Sequence, residues 1–569
     1  MAQDTTSTEQ IDRCLTELSQ AKQRFADLPI AERIAVADAC LDGVVGIARE
    51  WVESACRAKS IAPGSSSRAD EVLAGPVAVL RYLRLLLHAL RDIETRGTTR
   101  PPAKPFVGVD GRTRVSVFPT NWLFDRLLLY PFKVTAWMRN GLGVGDLDQR
   151  LATHYRQSVP RSANTVVVLG AGNVSAIPFT DTFSKLFHEG KVVLLKVSPV
   201  NAYLKPLLER ALQPLIEQGY LRIMEGGSEA GSAAILHHLA DEVHITGGIE
   251  SHNRIVWGPP GAERNDRIRT HRPVLNKPVT SELGNVSPWI VVPGHYSARQ
   301  LAFQAENIAA SVVNNVSFNC VATRVLITWK NWAQRRGFLD QVDDLFARIP
   351  RRVSYYPGAV ERYIRLTGRP VDHETKLLPW TLQRNVSEQD APKYFQEESF
   401  CCVVAEVALE GDSPEDFLRR AVDFANERLA GTLCATMTVP NGFRSATTEV
   451  FFQECLAQLR YGLVAINQWP GVAYALMSPP WGGYPGSNLA DAQSGIGWVH
   501  NTFMLEGIEK SVLEGPLTLF PKPAWFPTNP NAESLAWSLF HLYQSPSWWN
   551  LIRTIATSLK KPRVPPTPG

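Results

Sequence analysis

The chain has 569 residues, 44% of them hydrophobic, with 59 basic and 55 acidic side chains for a formal charge of +4. That length supports two or three folded domains, and the near balance of charge excludes nucleic acid or another polyanion as the main partner. Eight cysteines without C-x-x-C spacing, no run approaching the ~20 apolar residues of a spanning helix, and a start without a basic and apolar leader lead us to expect a cytoplasmic protein with free thiols.

From about residue 11 to 62, apolar residues recur at helical spacing, as in Ile34, Val36, Ala37, Cys40, Leu41, Val44 and Val45. This predicts a helical block ending at Pro63-Gly64-Ser65-Ser66-Ser67. A second helical run passes through Val79, Leu80, Tyr82, Leu83, Leu85 and Leu86 and stops at Pro101-Pro102-Ala103-Lys104-Pro105. Val109-Asp110-Gly111-Arg112 reads as a turn between short strands, and the rest of 105–160 shows no dominant period. Thr165-Val166-Val167-Val168-Leu169 and Lys191-Val192-Val193-Leu194-Leu195-Lys196 have the composition of buried parallel strands. Residues 177–188 and 203–218 supply crossover helices, and 221–224 and 242–248 further strands. The pattern is βαβαβ, a doubly wound sheet that binds nucleotides at its strand C-termini. From 285 to about 475 strands and helices alternate again, with strands at 289–292, 324–327 and 402–405, which predicts a second α/β domain. The tail from Gly515 is rich in proline and tryptophan, and no internal repeat is present.

Cys320, in Asn314-Asn315-Val316-Ser317-Phe318-Asn319-Cys320, stands 38 positions after Glu282 of Ser281-Glu282-Leu283-Gly284-Asn285. A thiol with a free pKa near ~8.5 needs an electropositive or dipolar pocket to become a nucleophile; a nearby carboxylate opposes that ionisation yet can activate water for a later hydrolysis. A buried core cysteine is the plain alternative for Cys320 taken alone. Further segments recur in a fixed order: Gly172-Asn173-Val174-Ser175-Ala176-Ile177-Pro178, then Gly190 to Lys196, Thr246-Gly247-Gly248-Ile249-Glu250 and Glu282-Leu283-Gly284-Asn285-Val286-Ser287-Pro288. Glu397-Glu398-Ser399-Phe400 follows, then Pro480-Trp481-Gly482-Gly483-Tyr484 and, after an insertion, Ser494-Gly495-Ile496-Gly497. In order and spacing these resemble the aldehyde dehydrogenase superfamily, as a divergent member, from about residue 11 to about 514. The resemblance implies an α/β fold of two doubly wound α/β domains, cofactor-binding and catalytic, with a small oligomerisation element. The expected boundaries are 1–282 for the helical block and dinucleotide-binding domain, 283–480 for the catalytic domain, 481–514 for the return and oligomerisation segment, and 515–569 for a C-terminal extension.

By the same resemblance, Cys320 attacks an aldehyde carbonyl, Asn173 and the Cys320 backbone N–H hold the oxyanion, and Glu282 activates the water that hydrolyses the thioester to a carboxylate. Lys196, Ser198, Gly247, Gly248 and Glu398 are implied as contacts to NAD or NADP, with Lys196 on the adenosine ribose and Glu398 on the nicotinamide ribose. Plainer readings stand beside these: a salt-bridged acid for Glu282, a turn-former for Asn173, a strand-closing surface lysine for Lys196, a local cap or ion pair for Glu398 and a permissive backbone for the two glycines. The chain departs from the family at Pro199, where many NAD-preferring relatives carry the acid that receives the ribose 2′-hydroxyl, so NADP stands open beside NAD. Asn285 and Val286 replace a Gly-Lys pair, and His252 a glycine.

Two other readings share the fold: an acyl-CoA or fatty-acyl reductase, and a member that has lost turnover and serves as a binding protein. The substrate is expected to be a long-chain or aromatic aldehyde, in keeping with Trp122, Phe124, Trp137, Trp469 and Tyr474. The resemblance also implies a homodimer or homotetramer built by strands that each chain adds to a neighbour's sheet. Residues 547–561, with Trp548, Trp549 and flanking lysines, are expected to form a helix packed on its own domain or on a subunit neighbour; peripheral contact with a membrane is the second reading.

Overall fold

The computed structural model describes residues 6–156 and 163–560. Its smaller sheet has six strands in the order Gly495–Ile496, Val279–Leu283, Glu242–Gly247, Thr165–Leu169, Val192–Lys196, Leu221–Met224. All but the first are parallel. Val166 to Val168 and Val192 to Leu195 are buried on both faces, as a sheet covered by helices on each side requires. From Thr165–Leu169 the next two strands are laid down on one side and the following two on the other. This reversal opens a crevice at the strand C-termini, the place where doubly wound sheets bind ligands.

The larger sheet has ten strands: Phe106–Val107, Thr113–Phe118, Lys133–Met138, Ile508–Glu514, Leu463–Ile466, Cys434–Thr438, Pro288–Val291, Val325–Trp329, Val403–Leu409, Thr381–Gln383. The seven from Ile508–Glu514 onward are parallel to one another, and the first three are antiparallel. Lys133–Met138 pairs with Ile508–Glu514 of the same chain, with Ala136 opposite Ser511 and Thr135 opposite Val512. Their backbone groups are thereby satisfied internally, and the sheet ends at both margins in strands of two and three residues, which blunts edge-to-edge pairing.

The N-terminal helix Thr8–Ala26 packs on the smaller sheet and begins in a capping box between Ser7 and Gln10, and Ile30–Ala58 packs on the helices Leu204–Ala211 and Ala78–Arg96. The run Arg68–Arg96 bends at Gly75-Pro76 and is, among the described residues, the one helix long and apolar enough to cross a membrane. It is instead a core helix: 78% of its apolar window is buried in the protein, and its Arg81 donates to the buried Asp125 at 2.7 Å. The C-terminal helix Ala532–Gln544 packs on this N-terminal block through an Arg68–Glu533 ion pair at 3.0 Å and an Arg84 hydrogen bond to the Tyr543 carbonyl at 2.8 Å. Trp548–Ser558 packs on Ala532–Gln544, so the expected tail helix is present; Lys561 and the residues after it lie outside the described ones.

Candidate active site

Glu282 lies near the end of Val279–Leu283, opposite Thr246 on the parallel side and Gly495 on the antiparallel side. Gly495 has φ +115°, and a Cβ there would collide with the Ser281 carbonyl, so only glycine lets the returning chain pair beside Glu282. Two residues beyond Glu282, a Cβ on Gly284 would occupy the position of Glu398 Oε2. This brings Glu398 over the same strand end. Its other oxygen, Oε1, is buried without a hydrogen bond and lies 3.6 Å from Nη2 of the buried Arg324.

The loop before Cys320 has an unusual backbone. Asn315, Val316 and Ser317 all adopt positive φ, at 48°, 57° and 68°. For the β-branched Val316 this is a costly conformation, of the order of ~1–3 kcal/mol, that persists only where its surroundings over-determine it. They do. Asp70 accepts from Asn314 Nδ2 at 2.9 Å and from the Asn315 N–H at 3.2 Å, while Asn315 Nδ2 donates to the carbonyls of Phe318 and Asn173, each at 2.9 Å. Arg324 donates to the carbonyls of Ser317 at 2.8 Å and Asn319 at 3.1 Å. One guanidinium therefore clamps the nucleophile loop and faces Glu398.

Cys320 Sγ lies 3.6 Å from Glu282 Oε1, and the same oxygen accepts from the Trp481 indole at 2.9 Å. Burial, with the Asp181 carboxylate adding to it, raises the Glu282 carboxyl to about 7, against the opposing hydrogen bonds from Trp481 and Cys320. Burial, followed by Glu282, pushes the Cys320 thiol well above its ordinary range. Asp181 itself is fully buried; its Oδ2 accepts from Thr246 Oγ1 at 2.7 Å and lies 3.6 Å from His244 Nε2. The arrangement is a protonated thiol beside an acid poised near neutrality.

Asn173 sits in the turn between Thr165–Leu169 and the helix Ile177–Phe183. Its carbonyl accepts from Asn315, from Tyr355 OH at 3.1 Å and from Lys59 Nζ at 3.2 Å, and Lys59 is a buried cation paired with Glu71 at 2.8 Å. Neither the Asn173 side-chain amide nor the Cys320 backbone N–H is bonded to another group among the described residues. Two donors, one on Cys320 itself and one on the turn whose carbonyl is bonded to the nucleophile loop, are thus uncommitted.

Lys196, Ser198, Gly247 and Gly248 gather at the C-terminal ends of the parallel strands. Lys196 has no ion-pair partner among the described residues, and burial lowers its pKa; a Cβ on Gly247 or Gly248 would meet open space. An unpaired lysine, an uncrowded glycine turn at the start of the helix Ile249–Trp257, and the Oε1 of Glu398, which faces Arg324 but accepts no hydrogen bond, fit a dinucleotide lying along this crevice. His252, where relatives carry a glycine, has a buried ring that bonds Asn253 through Nδ1 at 3.3 Å, while its Nε2 is buried without a hydrogen bond.

Trp481, Arg324, Lys59 and Asp181 were not singled out in the sequence. Trp481 stands in a matched motif; Arg324 follows the nucleophile loop it clamps, and its cation close to Cys320 is the available signal; Lys59 and Asp181 act through partners distant in sequence. Of the aromatic residues expected near substrate, Trp469 donates to the Val321 carbonyl at 2.7 Å and Tyr474 packs edge-on to Trp481 with centroids 5.2 Å apart. The others lie elsewhere: Trp122 and Phe124 pack with Tyr543 and Trp548 of the C-terminal helices, and Trp137 lies under Arg114. A cavity of about 220 Å³ is walled by Lys59 and Asn314 on its inner side and by Trp525 and Phe526 of the C-terminal extension on its outer side.

No profile of a known protein family matches the chain, and no curated protein sequence does. Solved structures do. An NAD-dependent aldehyde dehydrogenase from Sinorhizobium meliloti superposes with a TM-score of 0.58 at 15% identity, covering 91% of this chain and 88% of that one. An NADP-dependent glyceraldehyde-3-phosphate dehydrogenase from Bacillus halodurans, complexed with NADP, gives 0.56 at 14% identity, covering 89% and 91%. A variant of aldehyde dehydrogenase C from Pseudomonas syringae, in complex with NAD⁺ and octanal, gives 0.58 at 16%, covering 90% and 89%. The chain has the aldehyde dehydrogenase fold.

Proposed function

We propose that this protein is a divergent aldehyde dehydrogenase that oxidises an apolar aldehyde to the carboxylate, with Cys320 as nucleophile and Glu282 as general base. The observation that carries this reading is the 3.6 Å approach of Cys320 Sγ to Glu282 Oε1. Glu282, with its pKa at about 7, takes the thiol proton as sulfur adds to the carbonyl carbon, and passes it to solvent. The Asn173 amide and the Cys320 N–H receive the negative charge that develops on oxygen; each such donor is typically worth ~10²–10³ in rate. The nicotinamide, when bound, supplies the hydride acceptor. Glu282 then removes a proton from water, which attacks the thioester on Cys320, releases the carboxylate and restores the thiol.

Lys196, Ser198, Gly247, Gly248 and Glu398 hold the cofactor. With Pro199 in place of an acid, nothing at that position repels a 2′-phosphate, so NADP stands open beside NAD as the cofactor. Likeness to one structure complexed with NADP and to another with NAD⁺ and octanal supports a nicotinamide cofactor and an aldehyde of octanal's kind. Phe318, Tyr355, Tyr356 and Phe400 form an aromatic cluster beside the nucleophile loop that suits such a chain. Glu282 favours hydrolysis over transfer of the acyl group to coenzyme A.

The test is reduction of NAD⁺ and NADP⁺ with short, long and aromatic aldehydes, in wild type and Cys320→Ala. Turnover that Cys320→Ala abolishes supports the reading. No turnover with any aldehyde refutes it, and NADPH oxidation by an acyl-CoA would transfer the assignment to the reductase.

A further inference from the structure

The last helix, Trp548–Ser558, buries Leu551, Thr554 and Thr557, with Thr554 and Thr557 bonded to Ser538 of the helix Ala532–Gln544. The rest of its circumference faces out. Trp548, Trp549, Ile552, Ile555 and Leu559 are 60%, 74%, 56%, 40% and 53% exposed, at spacings that set them along one side of the helix. An edge-on contact between Trp548 and Phe124, with centroids 5.9 Å apart, places the short helix Leu123–Leu128 alongside and extends the face by Leu123, Leu127 and Tyr130, all exposed. Soluble surfaces seldom leave this many large apolar side chains together uncovered.

Charge decides between occupants. Across residues 123–130 and 546–560 the one acid is Asp125, which is buried and held by Arg81. Arg126, Arg553 and Lys560 are exposed and form no ion pair among the described residues, and the sequence continues with Lys561 and Arg563. A second copy meeting this face across a two-fold axis would set these cations against their own kind. An anionic bilayer complements both features: the apolar side chains enter the acyl boundary, tryptophan and tyrosine sit at headgroup level, and the basic residues reach the lipid phosphates. We propose that this face docks the protein peripherally on anionic phospholipid.

The test is co-sedimentation of the full chain with phosphatidylcholine vesicles, with and without about a third phosphatidylglycerol, at low and high salt. Expected is binding at least ~tenfold tighter to the anionic vesicles, weakened by salt. Trp549→Glu combined with Ile552→Glu should abolish it with an unchanged thermal midpoint, since both side chains point outward. Arg553→Glu with Lys560→Glu should remove the preference for anionic lipid. Absence of binding to either vesicle, or wild-type binding by the tryptophan–isoleucine variant, overturns the proposal. So does self-association that this variant abolishes in a protein that binds no vesicles, which would assign the face to a second copy.

Discussion

Trp481→Phe keeps the ring in place and deletes one hydrogen bond, the 2.9 Å donation from the indole to Glu282 Oε1. That donor favours the ionised carboxylate and works against burial and the Asp181 charge, which leave the acid at about 7. A hydrogen bond to a charged group contributes ~1.5–3 kcal/mol, so its loss should raise the Glu282 pKa by ~1–2 units at ~1.4 kcal/mol per unit. The active form is the carboxylate, so the pH profile moves to higher pH. At pH 7 the ionised share falls from about half to ~1–10%, and hydrolysis of the thioester slows ~5–50-fold, recovering towards pH 9. Stopped-flow decay of the acyl-enzyme formed from an activated ester, followed from acid to alkaline pH, reads this step without cofactor. An apparent pKa equal to the wild type's, or a loss of rate equal at every pH, would refute the reasoning.

Gly284→Ala puts a methyl group where Glu398 Oε2 lies and should weaken NADH binding by ~tenfold or more in a fluorescence titration, while alkylation of Cys320 is unchanged. Arg81→Met leaves the fully buried Asp125 without its counter-charge and should cost ~3–5 kcal/mol in chemical denaturation. Because burial and Glu282 hold the Cys320 thiol well above its ordinary pKa, iodoacetamide should react with the unliganded enzyme more slowly at pH 7 than with free cysteine. Its rate should climb with pH beyond 9; a plateau below pH 8 would contradict this.

The smaller sheet was legible because its signal is local: Thr165–Leu169 and Val192–Lys196 are unbroken buried runs separated by a helix-length crossover, and each sits where it was expected. Thr113–Phe118 was legible only as a short strand leaving the turn at 109–112, and Lys133–Met138 not at all. Their alternation is short, and the strand that completes them, Ile508–Glu514, lies more than 350 residues on. The site divides in the same way. Cys320, Glu282, Asn173 and Glu398 stand in ordered motifs, whereas Lys59 reaches Asn173 across 114 positions and Trp481 reaches Glu282 across 199. The tail helix was visible as an amphipathic segment. Which of its faces is covered depends on Ala532–Gln544 and Leu123–Leu128, so exposure of the tryptophans emerges only in three dimensions.

The central claim is that Cys320 carries an acyl group that Glu282 alone releases. Glu282→Gln keeps an oxygen for the Trp481 indole, removes the base and removes the negative charge that opposes ionisation of Cys320, so intact-mass spectrometry after mixing this variant with octanal and NAD⁺ or NADP⁺ at alkaline pH, where hydroxide takes the thiol proton in place of Glu282, reads the claim directly. The account predicts an added octanoyl mass located on Cys320, absent from Cys320→Ala and short-lived in the wild type. An unmodified Cys320 in Glu282→Gln, or a variant that turns over as fast as the wild type, would contradict it.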